Sequence, residues 1–335
     1  MGNASQEAVG TTFWCMVCEA AHIAGGGPHR SIWYLCPMSP GATAAQARPS
    51  PAELNAEIQR FSQQIAADVA GPELELPSYP VIALRAQRVL TDPNVGLEPV
   101  IKIIGSEPML AAKIIMMANS VALNRSGKQV ADLRTAITRL GFDSLRTAAV
   151  GFALSQLRHA AAYRNIAEPM KKLCETSVEV AAISCVVARK CKHGSPDSAM
   201  LAGLISGVGK LYLLTRSEQF PGLFSDPWTR QELFNNWHAQ VARSILKKWN
   251  FAQELIDAIA EAGRASLDSR SRTTMADVLA CSQQILELQE FPDQLAAALT
   301  YSLAARRLKL TPEICSELLT ATADERAQLR RALSV

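Results

Sequence analysis

Leu54, Ile58, Phe61, Ile65 and Val69 recur at three- and four-residue intervals, the stripe of a helix that buries one side. Ser50-Pro51-Ala52-Glu53 precedes that stripe as a capping box with proline at the first helical position, and Gly71-Pro72 closes it. The same rhythm returns after Ser106-Glu107-Pro108, with Leu110, Ile114, Ile115 and Ala118 on one face. A further helix is predicted to run to Leu140 and stop at Gly141, and Asp143 opens the next, through about Leu157. Ser195-Pro196-Asp197 opens a helix expected to run on through the 202–211 stretch and to leave Lys210 in its middle. No stretch alternates like a strand, and the connections are short. The pattern predicts an all-α protein ordered over 51–335. Residues 1–50 break the rhythm with Gly25-Gly26-Gly27-Pro28, Pro37, Pro40 and Pro49, and are expected to form a poorly ordered leader. Met38 is an alternative start.

Composition narrows the class. Of the 335 residues, 48% are hydrophobic, 19% charged and 6% aromatic, which suits a mostly helical protein with a substantial core and excludes a disordered one. The net charge of +3 is close to balance and does not announce a nucleic-acid binder. No window of uninterrupted apolar residues is long enough for a membrane span, and the N-terminus lacks the basic region of a signal peptide, so a cytoplasmic location without membrane contact is expected. Cys174, Cys185, Cys281 and Cys315 fall within apolar helical patterns, where a free thiol behaves as a small hydrophobe. Cys15 and Cys18, with His22, His29 and Cys36, have the look of a zinc site. A lone pair at that spacing is a weak signal, so no metal and no cofactor are assigned.

Ala202-Gly-Leu-Ile-Ser-Gly-Val-Gly-Lys-Leu211 carries the most information. It resembles the segment Ala-Gly-Leu-Leu-His-Asp-Ile-Gly-Lys-Leu that supplies the adjacent His-Asp ligands of HD-superfamily metal phosphohydrolases. Here Ser206 and Gly207 stand where that pair would be. Leu76-Pro77-Ser78-Tyr79-Pro80, Leu90-Thr91-Asp92-Pro93, Ala118-Asn119-Ser120 and Ala136-Ile-Thr-Arg-Leu-Gly141 are similar to motifs of the HD-related output domain, or HDOD, family, in order, over about residues 74 to 320. The resemblance implies an all-helical domain over 51–335, found in bacterial signalling proteins and made of two packed bundles, one near 51–160 and a degenerate HD-like one with C-terminal helices near 165–335. By the same resemblance Thr176 takes the place of the first histidine ligand. His238 matches a histidine often kept before Leu-x-x-Trp, Glu261-Ala262-Gly263 replaces a histidine pair, and Asp277 matches the last ligand. One histidine and one aspartate are too few for a site that needs three or more protein ligands. Such enzymes rely on metal to bring bound water from a pKa of about 15.7 to near 7.

Each position also has a plainer reading. His238 is a residual ligand, a pocket contact, or a helix histidine bonded to a neighbour. Asp277 is either a remnant of the metal site or a helix residue facing polar groups of the emptied pocket. Gly207-Val208-Gly209-Lys210 lacks the flanking residues of a phosphate loop, so Gly203, Gly207 and Gly209 are expected to permit close helix packing. Asn119 and Ser120 are read as local caps, and Trp228, Trp237 and Trp249 as packing residues. Between Met109 and Ile166 eight basic residues (Lys113, Arg125, Lys128, Arg134, Arg139, Arg146, Arg158 and Arg164) face only Asp132 and Asp143. Arg134, Arg139 and Arg146 are therefore candidates for docking a partner. The leading expectation is a non-catalytic regulatory protein that binds signalling proteins, with a small molecule or nucleotide as a further ligand. A residual metal-dependent phosphohydrolase or phosphodiesterase is the alternative. A nucleic-acid-binding regulator using the 109–166 basic segment ranks third.

Overall fold

The computed structural model describes residues 51–71, 81–92, 94–120, 123–124, 127–159 and 161–333. The expected leader over 1–50 and the Cys15/Cys18 group lie outside the described residues. Every regular element described is helical. The chain runs α1 (Pro51–Ala70), α2 (Val81–Thr91), α3 (Leu97–Gly105), α4 (Pro108–Asn119) and α5 (Leu133–His159), then a 3₁₀ turn (Ala161–Ile166), α6 (Ala167–Cys191), α7 (Pro196–Ile205) and α8 (Val208–Thr215). It continues through α9 (Pro221–Ser225), α10 (Pro227–Lys248), α11 (Gln253–Ala265), α12 (Met275–Leu288), α13 (Pro292–Tyr301), α14 (Leu303–Leu308), α15 (Pro312–Ala321) and α16 (Ala323–Leu333).

Local sequence sets many of these boundaries. Pro108, Pro196, Pro221, Pro227, Pro292 and Pro312 each stand in a first helical turn, where the missing N–H costs nothing. Asp226 caps α10 by accepting the Thr229 N–H at 2.7 Å. Gly141 adopts φ 71°, ψ 170°, a conformation that favours glycine, and breaks α5 where the sequence stops its helix. Asn119 clamps the end of α4: its amide nitrogen donates to the Val130 carbonyl at 2.7 Å and its carbonyl oxygen accepts the Val130 N–H at 2.7 Å. Leu110, Ile114, Met117 and Ala118 carry the buried face of α4, and the four thiols of Cys174, Cys185, Cys281 and Cys315 are buried as expected.

Two expectations change. The helix expected through 202–211 breaks at Ser206–Gly207, so Lys210 lies in the first turn of α8, not in mid-helix. Trp249 is buried and Trp237 partly so, but Trp228 is 73% exposed. Thr229, Leu233, Phe234 and Val241 carry the buried side of α10, and Trp228 lies off that side.

The two ends of the described chain cross over. α1, grouped by sequence with the first bundle, packs Phe61 edge-on to Phe220 at 5.3 Å and to Phe224 at 5.8 Å. Its Asp68 accepts the Tyr212 hydroxyl at 2.7 Å and pairs with Arg216 at 3.0 Å. At the other end, α16 buries Leu329, Ala332 and Leu333 and lies along α4, α5 and α6. Its Arg330 pairs with Glu179, its Glu325 with Arg189, and the Leu333 carbonyl accepts the buried Lys113 ammonium at 2.6 Å.

Helices α6 and α7 approach to backbone contact. A Cβ built on Gly203 would lie 2.6 Å from Ala181 Cα and 2.7 Å from Ala181 N. Those atoms are backbone and cannot swing aside, so Gly203→Ala is expected to destabilise the fold by about 1–3 kcal/mol, as overpacking does. Urea unfolding followed by circular dichroism measures it.

Candidate functional site

The site grows from the same glycine-lined contacts. From Gly203 against Ala181, α7 runs antiparallel to α6 until the chain turns at Ser206–Gly207. Ser206 is buried and its hydroxyl donates to the Gly203 carbonyl at 2.7 Å. Gly207 faces α6 so closely that a Cβ would sit 2.7 Å from Ser177 Oγ. Gly207 is the N-cap of α8, and no side chain caps that helix start. Two residues on, a Cβ at Gly209 would lie 2.6 Å from His238 Nδ1 and 3.1 Å from the Ala242 backbone nitrogen. The expectation that these glycines serve close packing holds, and the packing brings Ser177, Ser206, Gly207, Lys210 and His238 to one end of the α6–α7–α8–α10 cluster.

His238 is not a hydrogen-bonded helix histidine. Part of its ring stays accessible, but Nδ1 is covered and has no partner among the described residues. Burial, then the nearby Lys210 charge, pushes its pKa down to about 3. Burial also lowers the Lys210 ammonium, opposed by the Glu287 carboxylate. Lys210 forms no ion pair or hydrogen bond among the described residues. The Ser177 hydroxyl, in a residue only 2% exposed, likewise engages none.

Thr176 and Asp277 are not brought to this end. Thr176 is exposed, and its hydroxyl donates to the Lys172 carbonyl at 2.8 Å. It is Ser177, not Thr176, that meets the Ser206–Gly207 turn. Asp277 is fully buried at the start of α12, where it completes a capping box with Thr274. One oxygen accepts the Thr274 N–H at 2.8 Å, and the other accepts from Arg307 at 2.6 Å and from Arg270 at 3.0 Å. This end of α12 lies by Gly194, whose Cβ would meet Met275 Cε at 2.9 Å. Glu287, the α12 residue within electrostatic reach of Lys210, is ten residues or about 15 Å further along the helix axis. Asp277 is thus held between two arginines.

Ser206 and Gly207 stand where the resemblance puts the His-Asp pair, the Ser206 hydroxyl donates to the Gly203 carbonyl, and the Asp277 carboxylate is paired with Arg270 and Arg307. Among the described residues no three His, Cys, Asp or Glu side chains gather as ligands.

The basic segment is largely spent on the protein itself. Lys113 is buried against the Leu333 carbonyl and adds nothing to a surface. Arg139 donates to Asn124 Oδ1 at 2.8 Å and to the Lys128 carbonyl at 2.7 Å, fixing the loop after α4. Arg146 holds Asp143 at 2.5 Å and the Leu90 carbonyl, and Arg134 pairs with the exposed Glu98. Arg125 lies outside the described residues.

The HDOD domain profile matches residues 76–265, more than half of the chain. The chain belongs to the HDOD family. No curated protein matches it. Among solved structures, a Shewanella amazonensis SB2B protein provisionally named a metal-dependent phosphohydrolase is 25% identical with TM-score 0.69, covering 84% of this chain and 100% of its own. An HDOD domain protein of unknown function from Geobacter sulfurreducens is 20% identical with TM-score 0.57, covering 82% and 98%. A protein from Marinobacter aquaeolei VT8 provisionally named for signal transduction is also 20% identical, with TM-score 0.56, covering 84% of this chain and 64% of its own. The last two share the fold.

Within this HDOD chain, sequence reasoning missed Ser177, Arg270 and Arg307. Helical spacing flags the first, since Ser177 lies one turn before Ala181 on the face toward α7. Nothing local announces Arg307, which reaches Asp277 from 30 residues away.

Among the described residues, one stretch, Pro196–Thr215, is long and apolar enough to cross a membrane, and 78% of it is buried within the fold.

Two outcomes follow from this geometry. Asp277→Asn leaves Arg270 and Arg307 without their shared anion and is expected to cost about 3–5 kcal/mol, read by urea unfolding. His238 has a folded pKa below its unfolded value near 6.5. As pH falls the unfolded chain takes up the proton first, so the stabilisation is complete above about 6.5 and drains away toward about 3. Urea midpoints at pH 7.5 and 5.0 should differ less in His238→Gln than in wild type, by at most about 1.4 kcal/mol per pH unit below 6.5.

Proposed function

We propose that this HDOD protein is a non-catalytic signal-transduction regulator that works by binding. The observation that supports the reading is the Ser206–Gly207 turn: within an apolar sequence frame that resembles the HD segment, its two positions offer a hydroxyl that donates to the Gly203 carbonyl and a hydrogen atom. Asp277 supports the same reading, because its carboxylate is consumed by Arg270 and Arg307. Without the ligand set, the chain has no means of lowering the pKa of a metal-bound water, the step on which HD hydrolysis depends. Membership of an output-domain family and likeness in fold to a protein named for signal transduction fit a regulatory role.

The partner in this reading is another signalling protein, and nucleic acid ranks below it because Arg139 and Arg146 are occupied by intramolecular acceptors. The name of the Shewanella relative keeps phosphohydrolysis as the competing reading. Purified full-length chain, supplied with manganese, is expected to hold substoichiometric metal and to leave bis-p-nitrophenyl phosphate intact. Capture from native lysate is expected to recover a protein whose yield is unchanged by nuclease. Metal-dependent turnover abolished by His238→Ala would overturn the reading, as would recovery that vanishes with nuclease.

A further inference from the structure

Leu267 and Tyr301 are large side chains left at the surface, 51% and 71% exposed. Leu267 follows α11 and Tyr301 ends α13, and the backbone brings the two places together. The Leu303 N–H donates to the Ser266 carbonyl at 2.9 Å, and the Ser302 hydroxyl donates to the Ser266 hydroxyl at 3.1 Å. Arg307 ties the same two segments more widely. Its guanidinium donates to the Ala265 carbonyl at 2.5 Å and the Asp268 carbonyl at 2.6 Å, and the Thr273 hydroxyl donates to the Arg307 carbonyl at 3.3 Å. Residues 264–273 and 301–309 therefore form one piece of surface, at and beyond the C-terminal edge of the residues that the HDOD profile matches. Its charge is one-sided. Arg264, Arg272, Arg306 and Lys309 are exposed and engage no carboxylate among the described residues. The exposed acid within the two segments, Asp268, is held by Arg270 at 2.6 Å, and Arg270 also reaches Glu261 at 3.6 Å. Glu313 is the first carboxylate beyond Lys309 along the chain.

Exposed apolar residues scattered singly are ordinary, whereas two on adjoining segments within a ring of unspent cations are not. Tyrosine and arginine are the types enriched where proteins bind one another most strongly, and a guanidinium pairs a carboxylate through two hydrogen bonds. We infer that the surface of Leu267 and Tyr301, edged by Arg264, Arg272, Arg306 and Lys309, docks an acidic peptide segment of a partner protein, one with an aliphatic or aromatic side chain set among Asp and Glu residues. That side chain covers Leu267 and the Tyr301 ring, and the flanking carboxylates take the four cations. Charge complementarity selects this occupant. A second copy docking by the same face would bring like cations together. A nucleic-acid strand would meet the cations but gain little from Leu267. The basic groups counted between Met109 and Ile166 contrast with these, since Arg139 and Arg146 already have acceptors within the fold. The inference deepens the regulatory reading by giving its partner a docking face and a chemistry, and it rests on that reading for the partner being a signalling protein.

The test uses the full-length chain at pH 7.5 and a fluorescein-labelled synthetic peptide, Leu-Phe flanked on each side by three glutamates, read by fluorescence anisotropy. Two control probes carry the same label: the peptide with serines in place of Leu-Phe, and a single-stranded oligothymidylate. Saturable binding of the first peptide is expected, with the serine peptide weaker by about tenfold. Arg264→Glu with Arg306→Glu and, separately, Leu267→Ser with Tyr301→Ser should each weaken it by a similar factor. Arg134→Glu, at an exposed arginine of α5, should leave it unchanged. All variants are checked for a native urea midpoint. No saturable binding of the first peptide, equal binding of the serine peptide, or binding untouched in both double variants would overturn the surface and leave the regulatory reading standing. Oligothymidylate held more tightly than the peptide, and lost with Arg264 and Arg306, would overturn it in favour of nucleic acid. Phosphoester turnover with manganese alongside peptide binding that behaves as expected would sink the regulatory reading and leave the surface intact.

Discussion

The contact of Gly203 with the backbone of Ala181, repeated at Gly207 against Ser177 and at Gly209 against His238, sets the spacing on which the rest of the second bundle depends. Each contact removes the side chain that would hold two helices apart. The gain is dense packing of α6, α7, α8 and α10 around Tyr212, Leu211 and Ala202, all buried. The constraint is rigidity: at Gly203 and Gly209 the facing atoms include main chain, so neither helix can slide without separating. A fold held this way keeps its frame whatever the neighbouring positions carry.

The polar atoms of the molecule divide into two groups. One set is engaged across the fold: Arg307 and Arg270 with Asp277, Tyr212 and Arg216 with Asp68, Arg139 with the loop after α4. These join segments distant in the chain, and losing one partner strands the other in a dry setting. The second set has no partner among the described residues and is scattered, with His238 Nδ1 beside α8 and Gln87 Oε1, Ser184 Oγ and Ser217 Oγ elsewhere.

Much of this was readable beforehand, and the part that was not has a physical reason. Proline at first turns, the stop at Gly141 and the buried thiols are local signals, and the structure agrees with them. The helix break at Ser206–Gly207 was hidden because both flanking segments are apolar and helical, so periodicity runs straight through it. Asp277 matched a ligand position by its neighbours along the chain, and only the arrival of Arg270 and Arg307 decides what its carboxylate does. The basic count between Met109 and Ile166 suggested a surface, yet Lys113 is interior, because sequence cannot show that the Leu333 carbonyl waits 220 residues downstream.

The crossing of the chain ends has a consequence for how the molecule comes into being. Asp68 of α1 meets Tyr212 only 144 residues later, and Phe61 waits for the phenylalanines at 220 and 224. The Lys113 ammonium, meanwhile, waits 220 residues for the Leu333 carbonyl. Neither half is complete while the other is missing, so native structure is reached late and through distant pairings, the kind that slow folding most. A nascent chain stalled anywhere before α16 exposes an apolar face with a lysine in it. The vulnerability of the fold thus lies in its assembly.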